Sequence, residues 1–450
     1  MDAIKAVFDY ISGLGNYVMI PLMITLVGLI VRLKFSKALK AGMTVGIGLI
    51  GMDMILNLLW TYISPVANVF VEKANLDLDT VDIGWSAAAG LAFSTVIGSF
   101  IIPFILVVNA ILLVLKLTKT INIDIWNYWH YAFSGAVVYL LTENYIYAFL
   151  AAAVHCAISL VVADCTAERV QNTLGVPGIS IPQGFAATTV PIFAALDKLY
   201  DIIRIPKGTD GAEEPKIFSK VKWLKTLSDP VFLGAIIGIG LGIGASYDVK
   251  QCLTCGMAMA ALMYLLPRMV KVIMEGLLPI SNQAKEFMQK KFHGEEFYIG
   301  MDSAILLGVP TTIQVALLLI PITLVLAMII PYNKTLPVGD LASTAYFVSM
   351  ATVIHKKSFG RTLISGTIMM TIVLGVATFF APMITNFAVT GALEIPSGAV
   401  QVTALSAGNW FGFVMYQLSK LGLFGAFIMI AGTGVIMMGI KKLVKFNKEK

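Results

Sequence analysis

The sequence predicts an all-α polytopic membrane protein, with about 11 transmembrane helices and two re-entrant hairpins. Three observations carry that prediction. Of 450 residues, 58% are hydrophobic and only 13% charged, against roughly 25% charged in soluble domains, and the mean hydropathy is +0.85. Many of the 39 glycines and 17 prolines lie inside apolar runs, as they do in membrane helices. The charged residues bunch between those runs, so the net charge of +6 reads as membrane orientation and not as nucleic-acid binding.

Taken in order, residues 1–15 form an amphipathic lead-in, too polar and too short of basic residues to be a cleavable signal peptide. Tyr17–Val31 is the first span, ending at Arg32, Lys34, Lys37 and Lys40, and Gly42–Ile63 is the second, with Asp53 inside it. The acidic stretch Glu72–Asp82 follows, so the positive-inside rule places Lys34–Lys40 in the cytoplasm and the N-terminus outside. Asp82–Gly90 is too short to cross before Ile101–Leu117 begins, and reads as the first hairpin. Lys116 and Lys119 return the chain inside, Trp126–Leu141 leads out and Tyr147–Ala163 leads back. Gly178-Ile-Ser-Ile-Pro-Gln-Gly-Phe185 interrupts the helical pattern. Thr188–Tyr200 then fits a tilted or in-plane helix, and Lys198–Asp229 a cytoplasmic loop joining two halves.

In the second half, Val231–Ala245 and Cys252–Leu266 are spans, and Glu275–Lys291 fits an interfacial helix with lysines on its polar side. Gly300–Gly308 is the second hairpin, an acid followed by small residues and closed by glycine. Thr311–Ile330 crosses outward, Gly339–Thr344 opens a span ending at His355, Lys356, Lys357 and Arg361, and Leu363–Phe380 goes out. Pro382–Ser419 is a long outer segment, and Leu421–Ile440 returns to a lysine-rich cytoplasmic tail. Five spans precede the central loop and five follow it from the opposite side, an inverted repeat of the kind that places substrate sites at the midplane. The whole chain, 1–450, is then one permease-like unit. Its parts are a first repeat (17–170), a connecting segment (171–230), a second repeat (231–380), and an outer segment with the final helix and tail (381–450). Asp82 matches Asp302 at the hairpins, and Asp124 matches Asp340 at the broken helix after each.

Intramembrane polar residues are expensive and usually face a cavity. The candidates are His130, Asp124, Asn127 and Ser134 around Asn122-Ile-Asp-Ile-Trp-Asn-Tyr-Trp-His130, Asp82 and Trp85 at the first hairpin, Gln183 at the break, Asp302 at the second hairpin, and Asp340. Each acid also fits a helix N-cap, and Asp53 and His155 also fit satisfied core residues. Carboxylates, an amide and an imidazole can together hold vicinal hydroxyls, and indole packs the C–H face of a sugar or polyol. No cationic side chain lies in these segments, which argues against an anionic substrate. No metal set and no catalytic nucleophile is expected. Cys252-Leu-Thr-Cys255 has redox or zinc spacing without a second pair, and reads as buried thiols. The glycines from Gly234 to Gly244 read as close helix packing.

Several strings in order along nearly the whole chain carry a resemblance: Val81-Asp-Ile-Gly-Trp85, Asn122 to His130, Gly178-Ile-Ser-Ile-Pro-Gln-Gly184, Tyr247-Asp-Val-Lys250, Leu266-Pro-Arg268, Gly300-Met-Asp-Ser303, Leu336-Pro-Val-Gly-Asp-Leu-Ala342 and Arg361-Thr-Leu-Ile-Ser-Gly366. The chain resembles the galactitol-type permease subunit (component IIC) of the bacterial phosphoenolpyruvate-dependent sugar phosphotransferase system, within the group that includes the ascorbate permeases. The resemblance implies a homodimer in the cell membrane, with a scaffold (V-motif) domain and a core domain moving as an elevator. It implies a polyol substrate, phosphorylated inside by a separate IIB protein that a IIA protein recharges, with no cofactor in this chain. It places His130 on a substrate-contacting histidine and Asp302 on an acid of the second hairpin. Gln183 stands where related permeases carry histidine, which leaves galactitol the first choice and another hexitol or a pentitol open. An ion-coupled secondary transporter, with the buried aspartates as ion sites, is the other reading of the same residues.

Overall fold

The computed structural model describes residues 16–30, 32–73, 78, 80–122, 124, 126–208, 230–291, 297–337, 340, 343–390 and 401–445. The lead-in, most of the central loop and the end of the tail lie outside the described residues, as does the Asp53 side chain. In chain order the first half contains α1 (Asn16–Ile30), α2 (Phe35–Lys73), β1 (Thr80–Asp82), α3 (Trp85–Ser94), α4 (Val96–Val114), β2 (Thr120–Asn122), α5 (Trp129–Thr142), α6 (Tyr145–Leu174), β3 (Ile179–Ser180) and α7 (Gly184–Ile202). The second contains α8 (Pro230–Gly244), α9 (Val249–Lys291), β4 (Tyr298–Gly300), α10 (Pro310–Ile329), β5 (Thr335–Leu336), α11 (Thr344–Ile354), α12 (Phe359–Thr390), β6 (Gln401–Thr403), α13 (Trp410–Ser419) and α14 (Gly422–Lys445). Single 3-10 turns at Trp126–Tyr128, Ser303–Gly308 and Leu405–Ala407 lead into α5, α10 and α13. Among the described residues, Tyr145–Leu174, Pro310–Ile329 and Phe359–Phe387 are long and apolar enough to cross a membrane, consistent with a membrane protein.

Helices α1, α2, α8 and α9 pack on one another, and small residues set how closely. A Cβ on Gly42 would lie 2.4 Å from the Pro21 carbonyl, one on Gly276 2.7 Å from the Ala41 carbonyl, and one on Gly238 2.4 Å from the Cys255 carbonyl. Of the expected glycine run, Gly238 and Gly242 pack closely on α9 while Gly240 and Gly244 meet nothing within 4 Å, and Cys252 and Cys255 are buried free thiols at that contact.

The remaining elements surround two parallel three-stranded sheets, ordered β5-β1-β6 and β2-β4-β3. Each takes its central strand from one half of the chain and both flanking strands from the other. Strands this short survive in an apolar surrounding only if their outer edges are satisfied. Side chains do this on both sheets. Asn109 of α4 stands in for a fourth strand beside β2, donating to the Thr120 carbonyl (3.0 Å) and accepting from the Asn122 N–H (2.9 Å). On the far edge Gln171 donates to the Ile179 carbonyl (3.1 Å). Asp164 accepts from the Lys119 N–H (2.9 Å) and the Thr120 hydroxyl (2.8 Å). In the other sheet Asn333 donates to the Thr335 carbonyl (2.9 Å) and accepts from the Thr378 hydroxyl (3.0 Å).

Several expectations are corrected. The second span is part of one 39-residue helix, α2, which starts at Phe35. Cys252–Leu266 and Glu275–Lys291 are not separate helices but parts of one 43-residue helix. Gly276 lies against Ala41 and Val45, so that continuation is packed on α2. Pro382 does not open an outer segment, because α12 runs through it to Thr390. The stretch that follows supplies β6 and α13, capped by Asn409 accepting from the Phe411 N–H (2.8 Å).

Arg361, expected as a charge at the cytoplasmic end of a span, is instead 1% exposed. It donates to the Asp197 carboxylate (2.8 Å) and to the Ile205 and Pro206 carbonyls (3.1 Å each), and pairs with Asp201 at 2.9 Å. His355 joins Asp197 (2.8 Å) to Ser365 (2.8 Å), whose hydroxyl meets Tyr200 (3.0 Å). This network ties the end of α7 to the turn between α11 and α12. Partial burial alone would raise the Asp197 carboxyl, but hydrogen bonds from His355 and Arg361 outweigh it and hold the group below its ordinary value. Its contribution is therefore full above the ordinary carboxylate range and is lost as pH falls through the depressed value. Arg361→Ala leaves Asp197 with His355 alone, Asp201 with Lys207 alone, and the Ile205 and Pro206 carbonyls without the guanidinium, and should destabilise by about 3–5 kcal/mol. In thermal unfolding of the detergent-solubilised protein, a melting temperature equal to wild type at neutral pH would refute this account of the network.

Candidate functional site

β2, β3 and β4 run in one direction, and a polar side chain follows each within three residues: Asp124 after Asn122, Gln183 after Ser180, and Asp302 after Gly300. The strands bring these three to one rim. A Cβ on Gly300 would lie 2.6 Å from Pro182 and 3.0 Å from the Asn122 Cα, so only glycine lets the three chains close up there.

Gln183 caps α7, its side-chain oxygen accepting from the Ala186 N–H at 2.5 Å. That fixes the amide orientation and turns the NH₂ toward His130, whose Nε2 lies 3.0 Å away. His130 Nε2 is therefore an acceptor and its Nδ1 carries the hydrogen, an assignment made from the hydrogen-bond network. The imidazole lies against the Trp129 indole, with centroids 3.9 Å apart and the ring planes tilted by 32°. Gly184 next to Gln183 is obligatory, because a Cβ there would sit 2.7 Å from the His130 Cβ. Asn127 donates to the Asp124 carboxylate, and the same amide lies against Asp302. Asp302 caps the following 3-10 turn, accepting from the Ala304 N–H (2.9 Å). Asp124, Asn127, His130 and Gln183 are buried, and Asp302 is half-buried. Two carboxylates, two amides and an imidazole thus converge with donors and acceptors suited to hydroxyl groups.

Other candidates lie elsewhere. Asp82 and Asp340 meet on the second sheet: the Asp340 N–H donates to Asp82 (2.6 Å), and the Trp85 N–H donates to Asp340 (2.6 Å). Ser134 is not free for a ligand, because its buried hydroxyl bonds His155 Nδ1 at 2.8 Å. His155 completes its hydrogen bonding at the Gly184 carbonyl (3.0 Å) and is a satisfied core histidine that holds the break beside Gln183. Asn409, which sequence reading passed over, donates to that same carbonyl (3.3 Å). Its Gly-Asn-Trp context at 408–410 is a helix-start signal that could have found it. Among the described residues no group of three or more His, Cys, Asp or Glu is placed to hold a metal ion.

Residues 10–398 match the family model EIIC-GAT, described as the PTS system sugar-specific permease component. The chain is 45% identical over 437 residues to the "Putative permease IIC component" of Escherichia coli (strain K12), covering 97% of this chain and 99% of that protein. It is 34% identical over 439 residues to the PTS system galactitol-specific EIIC component of the same strain, covering 96% and 95% respectively. An equal match is found in Escherichia coli O157:H7. A family match over most of the chain, with nearly full-length relatives at 45% and 34% identity, decides the question: this chain belongs to the sugar-specific permease (IIC) components of the phosphotransferase system.

Proposed function

We propose that this permease binds a polyol, galactitol before other hexitols or pentitols, at His130, Gln183, Asp124, Asn127 and Asp302. The observation that carries the proposal is the hydrogen bond from Gln183 to His130 at the rim shared with Asp302. It leaves the His130 Nδ1–H, the second amide hydrogen and unused carboxylate lone pairs for hydroxyls. The galactitol-specific relative supports the substrate class. No lysine or arginine takes part in the hydrogen bonds and ion pairs described there, which fits an uncharged ligand. Phosphoryl transfer from a separate IIB protein, recharged by IIA, then traps the product in the cytoplasm, while this chain carries no phosphoryl group.

The proposed transport unit is a homodimer surrounded by lipid, with the N-terminus outside and the C-terminus in the cytoplasm. The closely packed α1, α2, α8 and α9 make up the scaffold, and the elements around the two sheets are the core that carries substrate as an elevator. The exchange of strands between halves supports an inverted repeat, with β1, β2 and β3 corresponding to β4, β5 and β6. In this reading the second repeat reaches past residue 380 to include β6 and α13.

Two experiments test the proposal. In cells supplied with a polyol panel, this chain should yield polyol phosphate only when the cognate IIA and IIB are present. Accumulation of unmodified polyol driven by an ion gradient without them would favour a secondary transporter. His130→Ala should remove one to two ligand hydrogen bonds, about 1–3 kcal/mol, and so reduce uptake roughly tenfold or more with unchanged membrane abundance. Gly184→Ala should act in the same direction by displacing His130. Wild-type uptake in both variants would remove this rim from the substrate site.

A further inference from the structure

Each sheet has an edge strand that runs into a helix begun by an amide side chain. β3 leads to α7, capped by Gln183, and β6 leads to α13, capped by Asn409. The two amides are used alike. Gln183 accepts from the Ala186 N–H and donates to His130. Asn409 accepts from the Phe411 N–H (2.8 Å) and donates to the Gly184 carbonyl (3.3 Å), one residue beyond Gln183. Among the described residues Asn409 hydrogen-bonds none of the five rim side chains, so its influence on a ligand runs through the start of α7.

The beginning of α13 grips that first turn at further points. The Trp410 indole N–H donates to the Thr188 carbonyl (2.9 Å), and the Thr188 hydroxyl lies 3.3 Å from the Asn409 side-chain oxygen. Gly412 lies against Ser134, where a Cβ would come within 3.2 Å of the hydroxyl, and Ser134 holds His155, a second side chain on the Gly184 carbonyl. The other end of the connection is fixed in the second sheet. In the 3-10 turn Leu405–Ala407, which joins β6 to α13, the Leu405 N–H donates to Asp82 (3.4 Å) and the Ser406 N–H to Asp340 (2.8 Å). Gly408 then passes so close to α12 that a Cβ would lie 2.5 Å from the Val373 carbonyl. Asn409 is thus a buried amide projected from a turn held at three places, as a group that orients another must be.

We propose that Asn409, assisted by Trp410, is a positioning residue for the substrate. It places the Gly184 carbonyl, and through it the Gln183 amide and the His130 ring, from the opposite sheet. Asp82 and Asp340 seat the turn from which it projects. The effect on transport rests on the reading of His130 and Gln183 as ligand contacts; control of the His130 environment does not.

The test uses the full chain in lipid bilayers, isotope-labelled at its histidine nitrogens, and follows the magnetic resonances of the His130 ring, assigned by their loss in His130→Ala. Asn409→Ser keeps a capping oxygen for α13 but removes the amide donor, and Trp410→Phe keeps a ring and loses the N–H. Both variants should melt close to wild type and shift the His130 resonance that faces Gln183. In cells with cognate IIA and IIB, either should need about two- to tenfold more galactitol for half-saturation of uptake, as loss of one hydrogen bond predicts. Combined with His130→Ala, Asn409→Ser should add little further loss, because the two act on one unit, whereas an independent structural defect would add in full. His130 resonances at wild-type positions in both variants, or fully additive losses, would overturn the proposal. If wild type itself takes up no galactitol, the substrate reading fails and the resonances alone decide this one. Should Asn409→Ser not accumulate, Trp410→Phe decides by the same resonances.

Discussion

Backbone hydrogen bonding in an apolar surrounding is the constraint on which this architecture depends. A chain that breaks its helices inside a membrane exposes N–H and C=O groups, each of which costs several kcal/mol if left unsatisfied. Here six breaks are gathered into two three-stranded sheets, so that each break satisfies others. Asn109, Gln171, Asp164, Asn333 and Thr378 finish the edges. The polar side chains of the candidate site are consequences of the same solution, since they follow the strands directly and cap the turns and helices that resume there.

Economy of donors and acceptors also governs the arrangement of the candidate site. Gln183 uses its oxygen on its own helix and its nitrogen on His130, so the imidazole arrives with its tautomer already set. His155 and Asn409 hold the Gly184 carbonyl from two other helices, which keeps the break at a fixed distance from His130. A site preorganised in this way would lose little side-chain freedom on binding.

Much of the helical content was legible, because long apolar runs such as those of α6, α10 and α12 announce themselves in any window. Boundaries were less so. Pro382 looked like a stop, yet tertiary packing carries α12 through it, and Glu275–Lys291 looked amphipathic until its contact with Ala41 and Val45 made it part of a packed helix. Strands of two or three residues show no period at all, so neither sheet could be read in advance. For that reason His130, Gln183 and Asp302 were recognisable as polar residues in costly places, while their separation from Asp82 and Asp340 was not. Arg361 followed the rule for cytoplasmic charges in sequence but serves as a buried clamp.

The exchange of strands between halves has a bearing on biogenesis. Chains are made and folded from the N-terminus, and β1 emerges long before β5 and β6, the only strands that pair with it among the described residues. β2 and β3 likewise wait for β4. The first half can therefore enter the bilayer as helices but cannot close either sheet: β2 and β3 wait for β4 at residues 298–300, and β1 is flanked on both sides only when β6 at 401–403 is made. A chain that stops after α7 therefore carries β1, β2 and β3 without the strands they pair with.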